Sequence, residues 1–236
     1  MEEQELWPGG PRFVQSAHFR LCTDSVLLSD FVRTRGAERG IDLGCGSGIL
    51  PLLLAQKNEK LRMTGLELLP EAAAAARENF SVNGLSERCA VREGDIRRHR
   101  ELFSAGSFDL VVSNPPYYPA GSGAASPRAD RAAARSEESC SLEELCEAAA
   151  WLLRTGGSFC LVHRPERLSE ICVRLSARGL EPKRLRFVCP RPEAAPNLLL
   201  LEARRGGRPG LKIEAPLVLC GSDGAESEEI RRICHR

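Results

Sequence analysis

The chain has 236 residues, 42% of them hydrophobic and 28% charged, with a formal charge of +1 at neutral pH. That length and apolar fraction suit one large α/β domain, which is expected here, rather than two small ones. The near-zero charge excludes a globally basic nucleic-acid binder, so any such surface must be a local patch. MEEQELWPGG lacks the basic start and apolar stretch of a signal peptide, and no apolar run approaches a membrane span, so a cytoplasmic protein is expected. The ten cysteines stand singly, without a C-x-x-C pair, and read as reduced core thiols rather than disulfides or metal ligands.

Along the chain, Thr23 and Asp24 precede the apolar run SVLLSDF and suit a helix N-cap. The first strand of the main rhythm is predicted over Gly40–Leu43 and runs into IDLGCGSGIL at residues 41–50. Gly44, Gly46 and Gly48 fall between that strand and a helix predicted over Ile49–Lys57, where missing side chains let backbone approach a nucleotide-like ligand. Ile49 stands where a dinucleotide binder needs another glycine, which disfavours a nicotinamide oxidoreductase. Further strands are predicted over Leu61–Leu66, Cys89–Glu93 and Phe108–Ser113, with a helix over Pro70–Val82. Acids mark three successive strand ends. Asp42 closes the first; Glu67, about 20 residues past the glycine motif, can accept both hydroxyls of a ribose; Asp95 can accept from an adenine amino group. An acidic site without a P-loop lysine or threonine suits a cationic sulfonium nucleoside better than a polyphosphate.

The fourth strand stops at SNPPYY. An amide side chain, a carbonyl followed by a residue with no N–H, and two aromatic faces make a socket for a flat polar group. PAGSGAASPRADRAAARSEES, residues 119–139, reads as a long mobile loop. Helices are then predicted over Leu142–Leu153, with Ser141 and Glu144 spaced as a capping box, and over Pro165–Arg178; strands are predicted over Ser158–Val162, Arg184–Cys189 and Leu198–Glu202. Residues 183–208 hold seven Lys/Arg against two Asp/Glu, either a solvated strand edge or a binding surface. Alternating β and α units predict a mostly parallel sheet covered on both faces, with ligands at the carboxyl ends of its strands.

DLGCGSG, LEL at 66–68, GDI at 94–96 and SNPPY together resemble class I S-adenosylmethionine-dependent methyltransferases of the amino-methylating group. RLCTDSVLLSDFV, the Arg-rich loop, RTGGSFCLVHRPERL and LVLCGSDGAESEEIRRI extend the resemblance to the bacterial tRNA(Val) (adenine-37-N6)-methyltransferase family. The resemblance implies a Rossmann-like, doubly wound, mostly parallel seven-stranded sheet over residues 38–236. Residues 1–37 become an N-terminal extension folding over the cofactor site, and 119–139 a substrate loop. The implied cofactor is S-adenosyl-L-methionine, with S-adenosyl-L-homocysteine as product. The implied reaction is methylation of adenine N6 in RNA, chiefly tRNA, by a monomer without metal or membrane. Gly44, Gly46 and Gly48 are assigned to the methionine part, Glu67 to the ribose, and Asp95 with the Ile96 backbone to adenine; Asp42 and Asn114 complete the cofactor set. Thr23 and Asp24 match a segment that folds over the cofactor, a role that stands beside the N-cap reading.

Adenine N6 is a poor nucleophile because its lone pair is delocalised into the ring. Asn114 Oδ1 and the Pro115 carbonyl are suited to accept its two hydrogens. Pro116 restricts Pro115 to extended geometry, and Tyr117 can stack on the base for about 1–3 kcal/mol. Tyr118 supports stacking or merely packs. Arg128, Arg131 and Arg135 are candidate phosphate contacts. The same socket accepts a glutamine amide, cytosine N4 or guanine N2, so a glutamine N5-methyltransferase or another nucleobase amino-methyltransferase remains an alternative, as does an inactive cofactor-binding module. The lead before residue 38 is shorter than the extra domain usual in release-factor glutamine methyltransferases, and no DNA target-recognition domain is visible.

Overall fold

The computed structural model describes residues 2–15, 23–115 and 140–235. Its centre is a nine-stranded sheet built on seven long strands: β3 (Arg39–Leu43), β4 (Arg62–Glu67), β5 (Cys89–Glu93), β6 (Phe108–Ser113), β7 (Leu153–His163), β8 (Leu180–Cys189) and β9 (Leu198–Arg205). Their order is β8-β9-β7-β6-β3-β4-β5, and β9 alone of the seven runs antiparallel to its neighbours. Two short strands, β10 (Lys212–Ile213) and β11 (Leu217–Val218), pair with β8 and carry the sheet past the seven expected. From β3 the chain winds outward through β4 and β5, then returns to place β6 on the other side of β3. At such a reversal an open α/β sheet leaves a ligand crevice outside the carboxyl ends of its strands, here those of β3 and β6.

Alternate residues of each inner strand enter two separate cores. Leu110, Val112, Cys160, Val162, Leu198 and Leu200 face one; Ile41, Leu43, Val111, Phe159, Leu161 and Leu201 face the other. Covering both faces is what makes these strands read as nearly continuous apolar runs. The first core is closed by α1 (Thr23–Phe31), α2 (Ile49–Lys57), α3 (Pro70–Val82) and the terminal α7 (Glu228–Ile233), the second mainly by α5 (Leu142–Leu152) and α6 (Leu168–Ala177). A short α4 (His99–Leu102) links β5 to β6. Pro70 starts α3 at a position where its missing N–H is harmless. The capping box of α5 is formed: the Glu144 N–H donates to Ser141 Oγ at 3.3 Å, and the Ser141 N–H to Glu144 Oε2 at 2.7 Å. The helix predicted from Pro165 divides into a 3-10 turn, Pro165–Arg167, and α6.

The carboxyl end of α1 is capped by cations from two distant elements. Lys57 Nζ donates to the carbonyls of Ser29, Asp30 and Val32 at 2.9, 2.8 and 2.8 Å. Arg184 reaches the Phe31 carbonyl at 3.3 Å and lies 4.1 Å from the centre of its ring. Four consecutive carbonyls at the negative end of the helix dipole thus face positive charge. Arg184 is only 8% exposed and pairs with Glu202 at 2.5 Å and Glu214 at 2.9 Å, while Arg186 pairs with Glu229 at 2.8 Å. Lys183 donates to the Arg208 carbonyl and Arg205 to that of Arg178. The basic stretch 183–208 is therefore neither an idle strand edge nor an open basic surface. Most of its charge answers acids and carbonyls within the fold.

β1 (Glu2–Glu5) and β2 (Arg12–Gln15) form an antiparallel hairpin packed on α3. Asn79, fully buried, accepts the Val14 N–H at 2.6 Å through Oδ1 and donates to the Ser47 carbonyl at 3.0 Å through Nδ2. Asn83 bonds both backbone groups of Arg12, at 2.9 and 2.6 Å. Trp7 stacks on His235 with ring centres 4.2 Å apart, bringing the two ends of the described chain together. All cysteines among the described residues are free thiols, and Cys45, Cys89, Cys146, Cys160 and Cys189 are buried. No helix among the described residues is long and apolar enough to cross a membrane.

Candidate active site

The turn between β3 and α2 is stitched to the end of β4. Gly44 and Cys45 donate their N–H groups to the Leu66 carbonyl at 2.9 and 3.2 Å. Gly46 donates to Glu67 Oε2 at 2.8 Å, and Leu69 to Glu67 Oε1 at 2.9 Å. Glu67 is 7% exposed, and each of its oxygens keeps a lone pair beyond these bonds. Gly44 has φ 77° with open space where a Cβ would stand, so the ridge of the turn is bare backbone. Gly48 has φ 82°, and a Cβ there would come within 2.8 Å of Phe80 and 2.9 Å of Ala76. It is glycine both for its backbone conformation and for the close seating of α2 on α3.

Asp42, at the end of β3, is 2% exposed, and its Oδ1 has no hydrogen-bond partner among the described residues. Burial, reinforced by the neighbouring Glu67 charge, pushes its carboxyl well above the ordinary carboxylate range. A buried oxygen of this kind, beside a bare glycine turn, fits a cationic ligand group. Asp95 follows β5 and caps the 3-10 turn Ile96–Arg98. From the Arg97 guanidinium, Oδ1 accepts at 3.0 Å and Oδ2 at 2.9 and 2.5 Å, and these bonds hold its carboxyl below the usual range. Ile96 is half-buried against the second core. Leu68 and Leu69, directly after Glu67, are 43% and 38% exposed, an apolar ledge beside the acid. The sequence reading missed that ledge, though the apolar pair directly after the acid in LELLP carries the signal.

Across the crevice, β6 ends at Asn114 and Pro115, both half-buried. Ser113, fully buried, donates to the Leu43 carbonyl at 2.8 Å and locks β6 against β3 at the point where the winding reverses. Asn114 Nδ2 donates to Ser25 Oγ at 2.9 Å. Ser25 belongs to the first turn of α1 with Thr23, which is exposed, and Asp24, which is half-buried, so that turn stands against the acceptor motif. No motif in the sequence marks Ser25. In the parallel register of β6 and β7, Ser113 pairs with Leu161, two residues before His163 at the end of β7. Burial pushes the His163 ring down to about 4, so it is neutral at physiological pH. Pro116, Tyr117, Tyr118, Arg128, Arg131 and Arg135 lie outside the described residues, as does the segment 119–139.

Asp42, Gly44, Gly46, Gly48 and Glu67 thus gather at the carboxyl ends of β3 and β4, with Asp95 and Ile96 following β5 and Asn114 and Pro115 facing them from β6. One side offers negative charge and bare backbone; the other offers hydrogen-bond acceptors. A family model described as the methyltransferase small domain matches residues 17–172. A tRNA1(Val) (adenine(37)-N6)-methyltransferase from Tolumonas auensis is 35% identical over 211 residues, 89% of this chain and 86% of that protein. Another from Porphyromonas gingivalis is 34% identical over 78% of this chain and 74% of its own length. Among solved structures, an Agrobacterium tumefaciens protein named as a predicted O-methyltransferase is similar with a TM-score of 0.71 and 25% identity, covering 90% of this chain and 95% of that one.

Proposed function

Because the chain belongs to the methyltransferase small domain family, and to the family of the tRNA1(Val) (adenine(37)-N6)-methyltransferases, we infer that it methylates the N6 amino group of an adenine in tRNA. S-adenosylmethionine supplies the electrophilic methyl group on a positively charged sulfur. Asp42 answers cationic charge on the methionine side, and the bare ridge at Gly44 admits that part of the ligand. Glu67 takes the ribose hydroxyls with the lone pairs its loop amides leave, while Leu68 offers an apolar face to the base. Asp95 and the Ile96 backbone read the adenine edge, and Arg97 keeps Asp95 ionised for that purpose. Thr23 and Asp24, on the first turn of α1, border the same crevice.

On the acceptor side, Asn114 Oδ1 and the Pro115 carbonyl take the two amino hydrogens. That turns the nitrogen lone pair toward the methyl group and stabilises the positive charge that develops on it. Pro116 contributes no competing N–H, and Tyr117 stacks on the base. Two acceptors side by side suit an amino group, which carries two hydrogens, rather than a hydroxyl, which carries one; this favours nitrogen over the oxygen acceptor in the Agrobacterium protein's name. Nothing in the step requires a strong base, because the proton leaves after transfer. With most of the 183–208 charge engaged internally, phosphate contact is assigned to Arg128, Arg131 and Arg135.

The observation that carries the reading is Asn114 anchored at the reversal of the sheet, beside β3 whose Asp42 Oδ1 has no partner among the described residues. The test is incubation of the purified protein with methyl-labelled S-adenosylmethionine and tRNA from a strain lacking the gene. Label recovered as N6-methyladenosine is the expected result. Label in protein glutamine redirects the assignment, and bound cofactor without transfer reduces the protein to a binding module.

A further inference from the structure

We propose that Ser25 is a positioning residue for methyl transfer, an inference that rests on the acceptor role given to Asn114 above. Ser25 is 4% exposed, and its hydroxyl takes the Asn114 Nδ2 hydrogen at 2.9 Å across 89 residues of sequence. A carboxamide has two ends of nearly equal shape, and its neighbours decide which faces a ligand. With the oxygen toward the amino group, Asn114 accepts; with the nitrogen there, donor meets donor. The productive arrangement therefore needs an acceptor behind Nδ2, and Ser25 Oγ is that acceptor. Donation to it also draws charge through the amide onto Oδ1, strengthening the bond to the substrate hydrogen.

The hydroxyl is held still by the helix that carries it. Val26, Leu27 and Leu28 are buried directly after it, and Lys57 and Arg184 fix the far end of α1 through four carbonyls. The carboxamide is thus set by a rigid element of the fold rather than by the strand end alone, as precise transfer geometry requires.

Ser25→Ala removes one oxygen and nothing else. Single-turnover transfer at saturating tRNA and cofactor should slow by roughly 5- to 10-fold, the range of one neutral hydrogen bond. The tRNA KM, cofactor affinity and melting curve should stay near wild type, a split that a packing defect in α1 does not produce. In an Asn114→Ala background the same change should have no further effect, because the group it positions is gone. A Ser25→Ala rate within twofold of wild type overturns the proposal, and so does an undiminished loss in the Asn114→Ala background. Asn114→Ala at full rate overturns the acceptor reading as well, which separates failure of that premise from failure of this inference.

Discussion

Asp42→Asn removes a charge while keeping the side chain's shape, and its effects on the cofactor-free and cofactor-bound protein should be opposite. Asp42 is 2% exposed, its Oδ1 has no partner among the described residues, and its pKa is raised by burial and then by Glu67. With the folded pKa above the unfolded value of about 3.9, stability is fully present below that pH and is lost as pH climbs toward the folded value. At neutral pH the buried carboxyl therefore weighs against the cofactor-free fold. Removing the charge should stabilise the cofactor-free protein, read as about 2–4 °C of melting temperature per kcal/mol at this size. A cationic ligand loses a charged partner worth about 1.5–3 kcal/mol, or roughly 10- to 150-fold in Kd. Because ligand stabilisation follows the ratio of concentration to Kd, the variant's thermal advantage should shrink or reverse as S-adenosylmethionine is added. Thermal melts across a cofactor titration, paired with calorimetry, measure both halves. A variant less stable than wild type without cofactor, or one with unchanged affinity, refutes the reasoning.

Asn114→Ala should lower single-turnover methyl transfer by about 10²–10³, the loss expected for a preorganised group aimed at developing charge, with cofactor affinity unchanged by calorimetry. Gly48→Ala forces a side chain onto φ 82° and into Phe80 and Ala76; about 1–3 kcal/mol for the conformation and a similar amount for overpacking should appear in urea unfolding, with weaker cofactor binding. Arg184→Ala takes the close cation from Glu202, 4% exposed, leaving it Arg204 at 3.9 Å, and should cost up to about 3–5 kcal/mol in the same assay, whereas Arg184→Met with Glu202→Leu should recover most of it.

Much of the frame was legible because local chemistry and burial agree there. α2 and α3 span Ile49–Lys57 and Pro70–Val82 as their patterns predict, and β5 and β6 match residue for residue; β6 does so because a parallel strand covered on both faces cannot avoid an apolar run. What escaped depends on partners far away in sequence. The hairpin at Glu2–Glu5 and Arg12–Gln15 has little pattern of its own and is held by Asn79 and Asn83. β10 and β11 are two residues each, below any periodicity. Counting charges over 183–208 left a solvated edge and a binding surface equally open because the count is blind to Glu214 and Glu229, which pair with Arg184 and Arg186 from outside the window. In the site, the glycines, the three acids and Asn114 stand at the strand ends where their residue types and spacing place them. Ser25 carried no such signal, because a serine within a helix acquires its role only when folding sets Asn114 against it.

The carboxamide of Asn79 gives the molecule a property that no single segment has. It is shared between Val14 in the hairpin and Ser47 in the glycine turn, in surroundings closed to water. If the hairpin lifts away, it leaves an unsatisfied amide on one side and slackens the turn on the other, so the two cannot open independently. They form one cooperative unit of local unfolding whose free energy includes whatever occupies the crevice. A nucleoside held at the glycine turn therefore also quiets the fraying of residues 2–15, and proteolytic loss of the hairpin loosens the grip on that nucleoside from behind.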